Sequence, residues 1–159
     1  MRRAMVLSFV AALAGCAHNR LPRGGETITY ALSGSGICLA CASYTVTLGP
    51  DGQGIFVGGR NTAAQGEHRF QATPDQVRRF AAQLQPYRPS VEVLMDRTPP
   101  CKQLSTDQDS VDVRWQPALA SAAHLSFYAG CDYERNGKMA AALFAAPDAL
   151  PISDLIGKH

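Results

Sequence analysis

No stretch of this chain is both long and apolar enough to cross a bilayer. The longest apolar run, Ala4 to Gly15, is interrupted only by Ser8 and falls short of the roughly 20 residues that a spanning helix needs. Charge of one sign is equally scarce. Fifteen Lys+Arg face 13 Asp+Glu, and the excess is Arg2 and Arg3, in a segment expected to be removed, so the mature chain is formally neutral. Without a basic surplus, phosphate-dominated binding has no footing, and no nucleic-acid partner is expected. Signatures of catalysis are missing too: there is no P-loop, dinucleotide fingerprint or zinc-protease helix. Ser33-Gly34-Ser35-Gly36 is not a nucleophile elbow, because Ser33 stands where that motif needs Gly. Asp107, Asp109 and Asp112 do not make a calcium loop, whose sixth and twelfth positions would fall on Asp112 and Ala118 instead of Gly and Glu. No catalytic residue, metal or cofactor is therefore assigned. With 46% apolar and 18% charged residues the chain is not disordered, and 159 residues make one domain with a modest core.

What is present begins with an address. Met1-Arg2-Arg3, the apolar run and the exit Leu13-Ala14-Gly15-Cys16 form an export signal whose end resembles the lipobox of bacterial lipoproteins. The resemblance implies cleavage after residue 15 and lipid on Cys16. Two or three acyl chains anchor stably where one does not. By resemblance to proteobacterial sorting, Ala17 in place of Asp directs the protein to the outer membrane. Residues 16–26 read as a polar, lipidated tether. Its ten residues after Cys16 reach at most roughly 33–36 Å.

From Thr27 onward the apolar residues alternate. Ile28, Tyr30 and Leu32, then Tyr44, Val46 and Leu48, predict two strands. Gly49-Pro50-Asp51-Gly52 is turn chemistry, and pairing Gly49 with Gln53 puts Val46 opposite Phe56. A fourth strand is expected over 67–72. Thr73-Pro74-Asp75-Gln76 announces a helix whose stripe is Val77, Phe80, Ala81 and Leu84. The Pro-rich segment 87–110 reads mostly as loop, with 91–95 open to an extended form. Val111, Val113 and Trp115 then pair with Leu125 and Phe127 in a late hairpin, with Val113 expected opposite Phe127 and Trp115 opposite Leu125. A second helix is expected over 137–145. Residues 27–159 are thus predicted to be one α+β domain: an antiparallel sheet of about six strands with two helices packed on one face.

Setting Cys16 aside, Cys38, Cys41, Cys101 and Cys131 remain, and three pairings are possible. An exported chain meets an oxidising compartment, which favours disulfides. Cys101 and Cys131 flank the late hairpin, leaving Cys38 and Cys41 as the other pair. Two further readings stand beside this one. Cys38-Leu39-Ala40-Cys41 has the spacing of a redox pair, but a strand follows it where such pairs need a helix N-terminus. It is also a zinc half-site, lacking a matching second half. His68 and His124 fall on predicted strands and read as surface or half-buried residues.

Cys41-Ala42-Ser43-Tyr44, Asp51-Gly52, Ile55-Phe56-Val57-Gly58 and Thr106-Asp107 resemble a family of small bacterial envelope proteins. That family has a C-x(2,3)-C-[PA]-x-Y motif, a D-G hairpin, a helix and a T-D before a late strand. The likeness covers roughly residues 27–130. It implies fold and location and brings no catalytic residue. The expected function is an outer-membrane-anchored, non-catalytic binding or interaction module of the cell envelope, held on the periplasmic face by its lipid, with an envelope protein as partner. The alternative is an envelope thiol-disulfide oxidoreductase using the CxxC pair.

Overall fold

The computed structural model describes residues 25–36, 38, 40–96 and 101–157. Four strands follow one another as a meander: β1 (Glu26–Ser33), β2 (Tyr44–Leu48), β3 (Gln53–Gly58) and β4 (Gly66–Gln71). Helix α1 (Pro74–Leu84) then leads to β5 (Glu92–Met95), β6 (Ser110–Pro117) and β7 (Ala123–Tyr128), and α2 (Tyr133–Ala145) and α3 (Ser153–Ile156) close the chain. The seven strands make one sheet in the order β4-β3-β2-β1-β6-β7-β5. Every pairing is antiparallel except β5 on β7. No described helix is long and apolar enough to cross a membrane.

The mixed α+β architecture matches the alternation in the sequence, with one strand and one short helix more than expected. The additional strand is β5. Its Pro-rich surroundings and four-residue length hide it in the sequence, and its partner β7 lies some thirty residues further on. Around the D-G turn, Gly49 N–H donates to Gln53 O at 2.9 Å and Gly52 takes φ +81°, so Val46 faces Phe56. The late hairpin departs from expectation. Val113 faces Leu125, Val111 faces Phe127 and Trp115 faces Ala123, a slip of two residues from the expected pairing. A two-residue slip leaves every side chain on its own face, so apolar alternation could not discriminate between the two registers. The observed one sets the bulkiest side chain opposite one of the smallest.

Buried residues line one face in three rows. Ile28, Leu48, Trp115 and Ala123 form the first, Tyr30, Val46, Phe56, Val113 and Leu125 the second, and Tyr44, Val111 and Phe127 the third. Burial pushes the phenols of Tyr30 and Tyr44 well above their ordinary value, so both stay neutral. Helix α1 packs on this face, with Phe80 edge-on to Tyr30 at 6.3 Å and both Phe80 and Leu84 fully buried. Its start is a complete capping box: Thr73 Oγ1 accepts from Gln76 N–H at 3.3 Å, and Gln76 Oε1 accepts from Thr73 N–H at 2.8 Å. Helix α2 begins four residues before the expected Gly137. Asp132 turns the chain with φ 43°, and its carbonyl accepts from Arg135 N–H and Asn136 N–H, starting the helix there. Gly137 is simply tolerated inside it.

Candidate functional site

The strand directions place both disulfides at one end of the sheet. β1, β3, β5 and β7 finish there and β2, β4 and β6 begin there. The described residues of connections 34–43, 59–65, 96–109 and 129–132 therefore gather at this end. Cys38 is bonded to Cys41 with Cα atoms 5.3 Å apart, and Cys101 to Cys131 at 5.2 Å. Cys16 lies outside the described residues.

The loop carrying Cys38 and Cys41 is clasped from both sides. The Arg60 guanidinium donates to Gly34 O at 3.2 Å and to Ser35 O at 2.9 Å, and Asn61 Nδ2 donates to Cys41 O at 3.0 Å. From the other side, Ser35 N–H donates to Asp109 Oδ1 at 2.7 Å. Cys38 N–H folds back onto Ser35, donating to its carbonyl at 3.2 Å, and β2 follows at Tyr44. Among the described residues no helix starts at Cys38, and a helix N-terminus is what lowers the pKa of a redox cysteine in such a motif.

The second loop cluster is built around Asp132. Its carboxylate Oδ1 accepts from Lys102 N–H at 2.9 Å and Gln103 N–H at 2.8 Å, while its own N–H donates to Gln103 O. Cys131 is fully buried and bridged to Leu104, and Asn136 Nδ2 donates to Cys131 O at 2.7 Å. Tyr128 Oη donates to Ser105 O at 2.8 Å and accepts from Gln108 N–H at 3.3 Å. Among the described residues, the three non-glycine residues with left-handed backbone, Asn61, Asp107 and Asp132, lie in these connections. Asn and Asp are the residues that tolerate that conformation best.

Two hollows open between these loops. One of about 260 Å³ is lined by Lys102, Gln103, Asp132, Glu134 and Arg135, and the other, of about 310 Å³, by Leu104, Ser105, Thr106, Asp107 and Tyr128. Leu104 and Tyr133 are exposed beside them. The surface thus offers both signs of charge, hydroxyl groups and two apolar side chains on a covalently braced frame. The sequence marked the cysteines and Thr106-Asp107. It did not mark Arg60, Asn61 or Asp132 and took Asp109 only as part of a failed calcium loop, because their roles depend on backbone groups far away in the chain.

The face of the sheet opposite the core is polar. Thr29 and Thr47 meet at 3.5 Å, and along the same row follow Arg114, His124 and Glu92. Next to this row lies a trough of about 570 Å³ lined in part by Thr27, Thr47, Ile55, Arg69 and Gln71. His124 Nδ1 lies 2.7 Å from Glu92 Oε1 and Nε2 lies 2.6 Å from Asp112 Oδ2. A carboxylate beside each nitrogen favours the protonated ring, in which both positions donate. Desolvation by burial opposes that charge, but the bonds to Asp112 and Glu92 outweigh it and raise the pKa above the ordinary imidazole value. His68 Nε2 is bonded to Gln65 O at 3.0 Å. Among the described residues, no three His, Cys, Asp or Glu side chains converge on a site for a metal ion.

No curated protein and no solved structure gives a significant match to the chain. A family model does match residues 32–141, from the last residues of β1 into α2, and so takes in both disulfides and every loop of the braced end. Covering more than half of the sequence, that match shows that the chain belongs to the family described as Domain of unknown function (DUF6438).

Proposed function

We propose that this protein is a non-catalytic binding module of the cell envelope, held by lipid on Cys16 at the periplasmic face of the outer membrane. Its disulfide end is turned toward an envelope protein partner. The observation that carries the reading is the separation of the two ends. The chain enters β1 at Glu26, which pairs with Pro117 at the last position of β6, whereas Ser33 at the far end of β1 pairs with Ser110 beside the braced loops. A chain tethered through its N-terminus therefore holds the entry end near the membrane and presents the loops outward. Recognition residues sit disproportionately on loops positioned by a rigid scaffold, and here the loops themselves are braced.

Two measurements test this reading. Cys16→Ser should release the protein from the membrane fraction, and equal partitioning of wild type and variant would remove the anchor. A photo-crosslinking residue at Tyr133 or Leu104 should capture one discrete envelope protein in cells, while the same probe at Arg69, on the open face, should not. Capture that is absent, or equal at all three positions, would remove the assignment of the binding surface.

A further inference from the structure

The two most exposed large apolar side chains among the described residues are Leu119, at 92% of its full surface, and Val91, at 65%. Both lie at the end where the chain enters the sheet. Leu119 is in the turn between β6 and β7, and Pro117, just before that turn, is paired with Glu26, the first residue of β1. Val91 immediately precedes β5, whose first residue Glu92 pairs with His124 near the start of β7. The whole segment 115–123, Trp-Gln-Pro-Ala-Leu-Ala-Ser-Ala-Ala, carries no charged side chain. Cations on the elements that flank this segment are engaged: Arg114 pairs with Asp112 at 3.3 Å, His124 with Glu92 and Asp112, and Arg88 with Glu26 at 2.8 Å.

An isolated exposed leucine on a protein surface needs no explanation. An uncharged loop with an apolar tip beside the root of the N-terminal segment is a different object. We propose that Leu119, together with Val91, inserts into the lipid surface to which the N-terminal segment is attached, so that the domain docks on the membrane by its entry end. This rests on the lipid-anchored reading of Cys16. One leucine is too weak to hold a free domain on a bilayer. A tether of about ten residues keeps Glu26, beside the loop, within roughly 33–36 Å of the anchor and makes the contact intramolecular, which raises its effective concentration. Docking would also limit rotation about the tether and keep the disulfide end facing away from the bilayer.

The test uses the full chain with its own N-terminus, purified from membranes and reconstituted into phosphatidylethanolamine–phosphatidylglycerol vesicles. Leu119→Trp is compared with Leu104→Trp at the opposite end. The native Trp115 is fully buried, and its signal is subtracted using the wild type. Both variants share tryptophan's own preference for membrane interfaces, so only position distinguishes them. The expected result is a blue-shifted Leu119→Trp emission, quenched about twofold by nitroxide lipids labelled within roughly 5–10 Å of the headgroups, with Leu104→Trp unaffected. If the protein floats with the vesicles while both positions report water, docking is wrong and the anchor stands. If the protein does not float with the vesicles, the anchor fails and docking falls with it.

Discussion

The two ends of the sheet are held together by different means. At the entry end, β2 passes to β3 through residues 49–52 and β6 to β7 through residues 118–122, and the ties are non-covalent. Glu26 meets Arg88, whose guanidinium lies 5.9 Å from the centre of the Trp115 ring, and His124 joins Glu92 to Asp112. At the other end the connections are longer and irregular. They are fixed by two disulfides and by side chains that bond backbone groups across the fold. Short turns inherit their geometry from the strands they join. Long loops bury little apolar surface of their own and need ties from outside the ladder. Covalent bracing is thus found where the backbone departs furthest from regular structure.

The largest effect should come from opening the late loop. Replacing Cys101 and Cys131 together by Ser removes a cross-link between residues 30 apart in sequence and should lower stability by about 3.6 kcal/mol on the chain-entropy formula, read from urea unfolding. A loss under 1 kcal/mol would mean that the Asp132 and Tyr128 bonds hold this end without it. The double Cys38→Ser, Cys41→Ser variant opens a much shorter loop and should cost about 2 kcal/mol. If it costs more than the first pair, the ranking of the two braces reverses. Thiol titration of the native chain should find Cys38 and Cys41 unreactive. Reactive thiols at those positions would instead support disulfide exchange as the function.

At the entry end, Thr73→Ala removes the capping hydroxyl of α1 and should cost about 1 kcal/mol, measured in the same way. The smallest expected effect is also the one that separates the ends chemically. The folded-state pKa of His124 is raised, so its contribution is fully present below the unfolded imidazole value of about 6.5 and is lost as pH rises through the folded value. The stability difference between wild type and His124→Gln should therefore shrink as pH is raised from about 6 to about 9. Amide protection in β5, corrected for the intrinsic pH dependence of exchange, should fall over the same interval, while that of the disulfide-braced loops stays unchanged. A difference independent of pH would mean that His124 acts by packing and not by charge.

Much of the entry end and of the core was legible in the sequence. The Thr73 and Gln76 box, the Pro50 and Gly52 turn and the alternation around Tyr30, Val46 and Val113 are local signals, and each is realised in the fold. The late hairpin was legible by face but not by register, because a shift of two preserves the face. The braced end was legible only in its cysteines. Asp109 reads in sequence as one more acid in a solvated loop, whereas in the fold its carboxylate takes the amide of Ser35, 74 residues earlier. Asp132 precedes a helix that the sequence begins at Gly137, and its bonds to Lys102 and Gln103 follow from a loop path that no periodicity encodes.

The place of β1 in the middle of the sheet also governs the order in which the sheet is completed. Tyr30 pairs with Val46 on one side and with Val113 on the other, so one neighbour is made almost at once and the other only after most of the chain exists. The meander β1 to β4 can form as soon as it is synthesised, but it then carries an unpaired inner edge. Such distant pairing is slow to form, and an open strand edge is a template for pairing with the wrong chain. The hazard for this protein during biogenesis is therefore timed by the arrival of β6, and it is over before the finished fold has any stability to measure.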